Sequence, residues 1–443
     1  MSGGHVTSPY PLLPAGFTFG TSTAAYQIEG AAAEDGKGPS IWDTFTAEPG
    51  RIQDGSTGAV ACDHYHRYPE DVALMRELGA DGYRFSISWP RVQPSGRGPV
   101  NADGLAFYDR LVDALLAAGI QPMATLYHWD LPEALQQAQR GGLSGWQLRD
   151  TAERFGEYAA VVAERLVDRV AHWVPVNEPN VVTFLGHALG LHAPGKELLF
   201  DSLPVAHHLN LGHGLAVHAL RSAGATSIGT ANNHAPMWPA SESEADRDAA
   251  GLFDTLWNGL FADPMLLGRY PEGFGDAMPG PVVDDLAIIA QPLDFYGMNY
   301  YNPMSIAAAA GALPFEQREL TGYPTTDFGW PIVPEGLTEM LTLLRERYPE
   351  LPPVFVTENG CSCAAMDDQL RIDYLDAHLH AVSNAIQGGV DVRGYYCWSL
   401  VDNFEWAEGY TQRFGLVHVD FDTQERTPRA SFRWYADTIR ANR

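Results

Sequence analysis

The chain has 443 residues, 45% of them hydrophobic, enough for a large core. It carries 28 Lys and Arg against 55 Asp and Glu, a formal charge of −27, which argues against nucleic acid and anionic membrane surfaces as partners. The four cysteines (Cys62, Cys361, Cys363, Cys397) match neither a secreted disulfide framework nor zinc-finger spacing, and no signal peptide or membrane-span-length apolar run is visible, so a cytoplasmic protein with reduced thiols is expected.

In chain order, Phe17–Gly20 reads as the first strand, followed by Tyr26-Gln27-Ile28-Glu29-Gly30. Residues 36–58, rich in Gly, Pro and Asp, read as a long loop. Arg67–Gly79 reads as a helix, with Tyr68, Val72, Met75 and Leu78 on one face and Gly79 as its stop. The second strand, Tyr83–Ser88, places Arg84 inside an apolar run, which is costly unless a carboxylate meets it. A helix near Asp103–Ala118 leads to the third strand, Pro122–Leu126, which ends in Tyr127-His128-Trp129-Asp130-Leu131-Pro132.

Thr151–Val167 is helical, and Trp173-Val174-Pro175-Val176 is a fourth strand that ends in Asn177-Glu178-Pro179. Pro179 biases Glu178 toward extended backbone. A helix over His207–Ala223 precedes the fifth strand, Ile228–Asn233. Ala245–Leu267 is mostly helical, and the sixth strand, Leu293–Asn299, runs into Tyr300-Tyr301. A long loop carries Trp330, and a helix spans Pro334 to about Arg347.

Pro353-Val354-Phe355-Val356 is the seventh strand, capped by Thr357-Glu358-Asn359-Gly360. The spacing of Ile372, Leu375, Leu379, Val382 and Ile386 predicts an amphipathic helix. Gly394–Leu400 is the eighth strand, and a last helix starts near Pro428. Eight strands alternating with helices imply a single α/β domain over residues 1–443, a (β/α)8 barrel with its site at the C-terminal strand ends. Glu178 and Glu358, far apart in sequence, both sit at such ends, and two carboxylates facing one small site suggest glycoside hydrolysis.

The stretches around Gln27, Arg84, His128-Trp129, Asn177-Glu178-Pro179, Asn299-Tyr300-Tyr301, Thr357-Glu358-Asn359-Gly360 and Trp398–Trp406 together resemble those of the family 1 glycoside hydrolases, and among them bacterial β-glucosidases. The resemblance spans nearly the whole chain, with the motifs in matching order. It implies a retaining β-glucosidase that needs no metal or cofactor and acts on a small β-glycoside or an oligosaccharide. It also implies Glu358 as nucleophile, supported by Arg84 and Tyr301, and Glu178 as acid/base. Gln27, His128, Trp129, Asn177, Asn299, Tyr301, Glu405 and Trp406 would contact the substrate, Trp398 would floor the sugar, Phe414 would help close the pocket, and Trp330 would face the aglycone. A 6-phospho-β-glycosidase and a β-transglycosidase are the alternatives on the same site, and the oligomeric state is left open.

Three departures from the family pattern stand out. Pro175 occupies a position usually held by Thr, which predicts a bulge and puts the placing of Glu178 in question. The short loop after Gly360, with Cys361 and Cys363, predicts an open rim near the aglycone. Leu143-Ser144-Gly145 separates Gly141-Gly142 from Trp146, for which the sequence supplies no reason.

Overall fold

The structure, a computed structural model, describes residues 10–443. One sheet holds eight strands: β1 (Thr18–Ser22), β2 (Gly82–Ser86), β3 (Gln121–Tyr127), β4 (His172–Val176), β5 (Asn232–Asn233), β6 (Tyr296–Asn299), β7 (Val354–Asn359) and β8 (Val392–Trp398). They lie in the order β4-β3-β2-β1-β8-β7-β6-β5, with all neighbours parallel. Bridges Trp173–Ile228 and Asn177–Ala231 join β4 to the segment entering β5, so the sheet closes into the expected (β/α)8 barrel. Met123, Val174, Ala231, Phe295, Phe355 and Tyr396 form a cluster of their own. Side chains from strands on opposite sides of a closed sheet can meet only on its axis, so this cluster plugs the barrel below the site. Outside it, the helix Arg149–Leu166 buries Ala152, Phe155, Ala159, Val162 and Leu166, a stripe at spacings of three and four.

Several expectations need correction. The supposed loop over 36–58 contains a helix, Ile41–Ala47, whose start is a capping box between Ser40 and Asp43. The Ser-x-x-Asp spacing was the available sign, masked by the surrounding turn formers. Glu178 is not extended: it lies in the left-handed region, φ 46° and ψ 61°, as the residue that caps a single turn over Pro179–Val181. The fifth strand is shorter than expected. Between the two bridges β4 runs one residue longer than its partner, and Pro175, which has no N–H to offer, sits in that interval. Toward β3 the register is unbroken, so the bulge expected at Pro175 falls on one edge only.

The segment after Gly141-Gly142 also has a physical account. Arg140 and Leu143 exchange backbone hydrogen bonds of 3.0 and 3.1 Å, and both glycines have positive φ, 60° and 85°. That is a two-residue hairpin of the mirror type, which glycine permits without strain. It hands the chain to a capped turn, Gly145–Gln147, that buries Trp146 against Tyr127 and Phe155.

Register slips aim the site. On the barrel axis Phe355 points inward. Strict alternation would send Glu358, three residues on, outward. Between Val356 and Glu358, however, β7 slips by one residue against β6. Asn177 stands three residues after inward-facing Val174, and the slip at Pro175 turns it in the same way. A β-bulge re-aims a side chain in this manner.

The closeness of the strands is testable at Gly297 on β6, where an added Cβ would lie 1.8 Å from the carbonyl oxygen of Thr230. Gly297→Ala is expected to lower stability by about 3 kcal/mol or more in thermal or urea unfolding. Gly251→Ala, on the helix Glu244–Asp254 with open space around the position, is expected to be neutral or stabilising by about 0.5–1 kcal/mol.

Candidate active site

A cavity of about 750 Å³ opens at the C-terminal ends of the strands, and His128, Trp129, Glu178, Tyr301, Trp330, Glu358, Trp398, Glu405, Trp406 and Phe414 all line it. Gln27, Asn177, Asn299 and Arg84 lie just behind, buried, and reach these groups by hydrogen bonds. Every residue singled out in the sequence is thus brought to one place.

Glu358 is gripped on both oxygens. Arg84 Nη1 donates to Oε1 at 2.5 Å, and the Tyr301 hydroxyl donates to Oε2 at 2.8 Å. Burial pushes its pKa up, and the guanidinium and hydroxyl oppose that push. Glu178 has no cation in contact. Its Oε1 accepts from Asn299 Nδ2 at 2.7 Å and Asn233 Nδ2 at 3.0 Å. Burial first, and then the Glu358 charge, raise Glu178 to about 8. The proton of the pair therefore rests on Glu178. Two amide donors occupy Oε1, so Oε2 is the oxygen that carries it.

The amides are oriented by their neighbours. Arg84 only donates, so the Asn177 atom 2.5 Å from its Nη2 is the oxygen. The Asn177 nitrogen then points to His128 Nε2 at 3.0 Å, which must accept. His128 is accordingly neutral with its proton on Nδ1, consistent with a pKa driven well down by burial and by Arg84. That buried Nδ1 has no protein partner. Similarly, the Thr357 hydroxyl donates to Asn299 Oδ1 at 2.7 Å, which commits the Asn299 nitrogen to Glu178.

Gln27 and Trp129 are partly committed to the protein itself. Gln27 Nε2 donates to Asn403 Oδ1, the Phe404 carbonyl and Glu405 Oε2, at 3.0, 2.9 and 3.3 Å, while its Oε1 is buried without a partner. Trp129 Nε1 donates to the Asn177 carbonyl at 3.0 Å. Glu405 is buried among these groups, and burial with the Glu358 charge lifts it to about 8. Asp402 anchors the loop that carries Glu405: Arg429 donates to both its oxygens, at 2.9 and 2.8 Å.

Asn233 was not singled out in the sequence, although its place at the tip of β5 was the same sign that marked the other residues. None of residues 361–371 lines the cavity. Arg413 and Arg371 hold that loop beneath the rim, through Cys363 N to the Arg413 carbonyl at 2.9 Å and Arg371 Nη2 to the Cys363 carbonyl at 2.7 Å. Near Trp330 the rim is built instead by Phe328, 4.3 Å from it between ring centres, and by Phe414 at 6.0 Å. Among the described residues no group of His, Cys, Asp and Glu could hold a metal ion, and no helix is long and apolar enough to cross a membrane.

A (β/α)8 barrel with two buried carboxylates of unlike surroundings in one cavity has the architecture of a carbohydrate-cleaving enzyme. The chain belongs to glycosyl hydrolase family 1, whose family model matches residues 10–443. It is 47% identical to β-glucosidase A of Acetivibrio thermocellus, over 97% of this chain and 98% of the relative. A β-glucosidase of an Agrobacterium species is 45% identical over 96% of this chain and 94% of its own length. Among solved structures, the family 1 β-glucosidase of Thermotoga maritima superimposes with a TM-score of 0.93 at 43% identity, covering 98% of this chain and 99% of the other.

The electrostatic coupling is directly measurable. Glu358→Gln removes the charge that helps to raise Glu178 and frees Arg84, so the Glu178 pKa is expected to fall below about 8. A titration of 13C-labelled carboxyl groups by NMR reads it, and an unchanged value would show that the two groups do not sense each other.

Proposed function

We propose that this protein is a retaining β-glucosidase with Glu358 as nucleophile and Glu178 as acid/base. The observation that carries the reading is the unequal dressing of two carboxylates in one cavity. Arg84 and Tyr301 hold both oxygens of Glu358 in ionised form, while Glu178 is buried without a cation. Glu358 attacks the anomeric carbon as Glu178 Oε2 passes its proton to the leaving oxygen, giving a glycosyl ester on Glu358. Esterification removes the Glu358 charge, so the Glu178 pKa drops, and Glu178 can take a proton from water as that water displaces the ester. Two inversions return the β configuration.

The glycone would rest over Trp398, with His128 Nδ1–H as donor and Gln27 Oε1 as acceptor for its hydroxyls. Asn177, held by Arg84 and His128, is set to meet the 2-hydroxyl. Trp129 and Trp406, with ring centres 4.4 Å apart, would wall the sugar. Asn299 and Tyr301 would act through the two carboxylates, Phe414 would help close the pocket, and Trp330 would face the aglycone. Glu405 would accept from the 4- and 6-hydroxyls, and once ionised, above about pH 8, its charge would repel a 6-phosphate. In the same reading residues 10–443 work as one domain, because the two carboxylates come from strands on opposite sides of one barrel. The four free buried thiols favour a cytoplasmic location.

Replacing the acid/base is expected to depend on the leaving group. Glu178→Ala should cost alkyl glucosides about 10²–10⁴-fold in kcat/KM and activated aryl glucosides far less. With azide it should yield the β-glycosyl azide, whereas Glu358→Gly with azide should yield the α-azide. A reversed pair of anomers, read by NMR, would exchange the two roles.

Two further measurements separate the alternatives. Aryl β-glucoside is expected to exceed its 6-phosphate in kcat/KM by orders of magnitude, and parity would remove the role given to Glu405. In wild type, kcat/KM for an alkyl glucoside should fall above about pH 8 as Glu178 loses the proton it must donate. A profile flat through pH 9 would contradict that assignment.

A further inference from the structure

Asn359 follows Glu358 at the tip of β7, but it is fully buried and does not line the cavity. Its side chain reaches instead behind the site. The amide nitrogen donates to the Tyr300 carbonyl at 2.7 Å and to the Tyr374 hydroxyl, on the helix Gln369–Gln387, at 2.8 Å. The amide oxygen accepts from the Tyr395 hydroxyl on β8 at 2.7 Å. A carbonyl can only accept, so the atom facing Tyr300 is the nitrogen, and the orientation of the amide is fixed. Tyr300, Tyr374 and Tyr395 are buried as well, and the Tyr374 ring stacks on His378 with centres 3.8 Å apart. A barrel strand covered on both faces is ordinarily apolar on its helix side, where no hydrogen bonds are needed. What the amide supplies there is a hold on Tyr300.

That hold closes on the nucleophile. The Tyr300 N–H donates to the Glu358 carbonyl at 3.0 Å, while the Tyr300 carbonyl accepts from Asn359. Two consecutive residues of β7 thus grip Tyr300 at both ends. Tyr301 comes next, and its hydroxyl returns to Glu358 Oε2 at 2.8 Å. Hydrogen bonds and chain form a closed loop, from the Glu358 carboxylate to Tyr301, back to the Tyr300 carbonyl, through the Asn359 amide and home to Glu358. Arg84 holds Oε1 separately, and its hydrogen bonds go to none of Tyr300, Tyr301 and Asn359. The loop therefore governs one oxygen of the carboxylate, and both must be held to stop it turning.

We propose that Asn359 is a positioning residue for the nucleophile, fixing the Tyr300 carbonyl so that Tyr301 keeps its hydroxyl on Glu358 Oε2. Asn359 touches neither substrate nor the reacting atoms, and the proposal rests on the reading of Glu358 as nucleophile.

The test is a double-mutant cycle in the full-length protein, with Asn359→Ala, Tyr301→Phe and the two together, read as kcat/KM for 4-nitrophenyl β-glucoside across pH. The Tyr301 hydroxyl favours ionised Glu358, so losing it raises the pH at which Glu358 ionises. Arg84, Glu178 and Glu405, the other titratable groups facing Glu358, are the same in every variant. Tyr301→Phe should move the acid limb to higher pH and cost about tenfold or more at the optimum. Asn359→Ala should move the limb the same way and cost about threefold to tenfold. The pair should lie within about twofold of Tyr301→Phe alone, because the contact through which Asn359 acts is already gone. Losses that multiply, or an Asn359→Ala acid limb that stays in place while only thermal stability falls, overturn the proposal and leave Asn359 as packing. Should Asn359→Ala not fold, Asn359→Ser takes its place in the cycle, polar but too short to reach Tyr300. An unmoved acid limb in Tyr301→Phe overturns the proposal with no Asn359 variant needed. Azide rescue of Glu358→Gly to the α-azide separates the two readings. If it occurs and the losses multiply, only the positioning role falls; if it fails, the nucleophile assignment falls as well.

Discussion

The buried ion pair between Arg84 and Glu358 is the constraint on which the barrel and the site both depend. Each partner is nearly inaccessible, with side-chain exposures of 1% and 4%. Removing such ions from water costs several kcal/mol apiece, and only a full set of partners offsets it. Arg84 has that set: the Ser22 hydroxyl on β1, Thr125 on β3, Asn177 just past β4, and both the Thr357 carbonyl and Glu358 on β7. One guanidinium thereby ties together strands from both sides of the barrel. The same contacts that make its burial tolerable also favour the ionised form of a buried carboxylate.

The second carboxyl gains its character from what it lacks. Glu178 receives two neutral amides and no cation, so burial and the neighbouring charge dominate. Each amide is itself fixed by a further group: Asn299 by Thr357, and Asn233 by the Trp257 indole. Proton placement in this pair thus depends also on Thr357 and the Trp257 indole, which hold its amide donors. Asn177, adjacent in sequence to Glu178, is tied to Arg84 and His128, so the two halves of the site cannot shift independently.

Backbone irregularity does the aiming. A barrel strand that alternated strictly would turn outward the residue three places after an inward-facing one, as Glu358 stands to Phe355 and Asn177 to Val174. The slips before Glu358 and around Pro175 correct this at the two strand ends where it matters. Glu178 then leaves the strand in a left-handed conformation instead of continuing it. At Pro175 the ladder slips on the β5 edge, and the β3 edge keeps its register.

The eight-strand alternation and the positions of Glu178, Glu358 and Arg84 were legible in the sequence, because each is a local statement: an apolar run, a period of 3.6, or a charged group in or at the tip of a strand; Glu405 was reached only through the family resemblance. Even the need of Arg84 for a carboxylate follows from burial cost alone. Other features were not legible, because they depend on partners remote in sequence. The helix at Ile41–Ala47 was hidden by turn-forming neighbours, and the left-handed Glu178 by the ordinary preference of a residue before proline. Which oxygen of Glu178 carries the proton is decided by Asn233 and Asn299, from two other strands. The committed amide of Gln27 and the neutral tautomer of His128 arise in the same way, from hydrogen bonds between groups just past neighbouring strands. Sequence determined the fold and the chemical types at the site, since these follow from local pattern and desolvation. Tertiary structure alone decided protonation and orientation, since those require groups brought together by closure of the sheet.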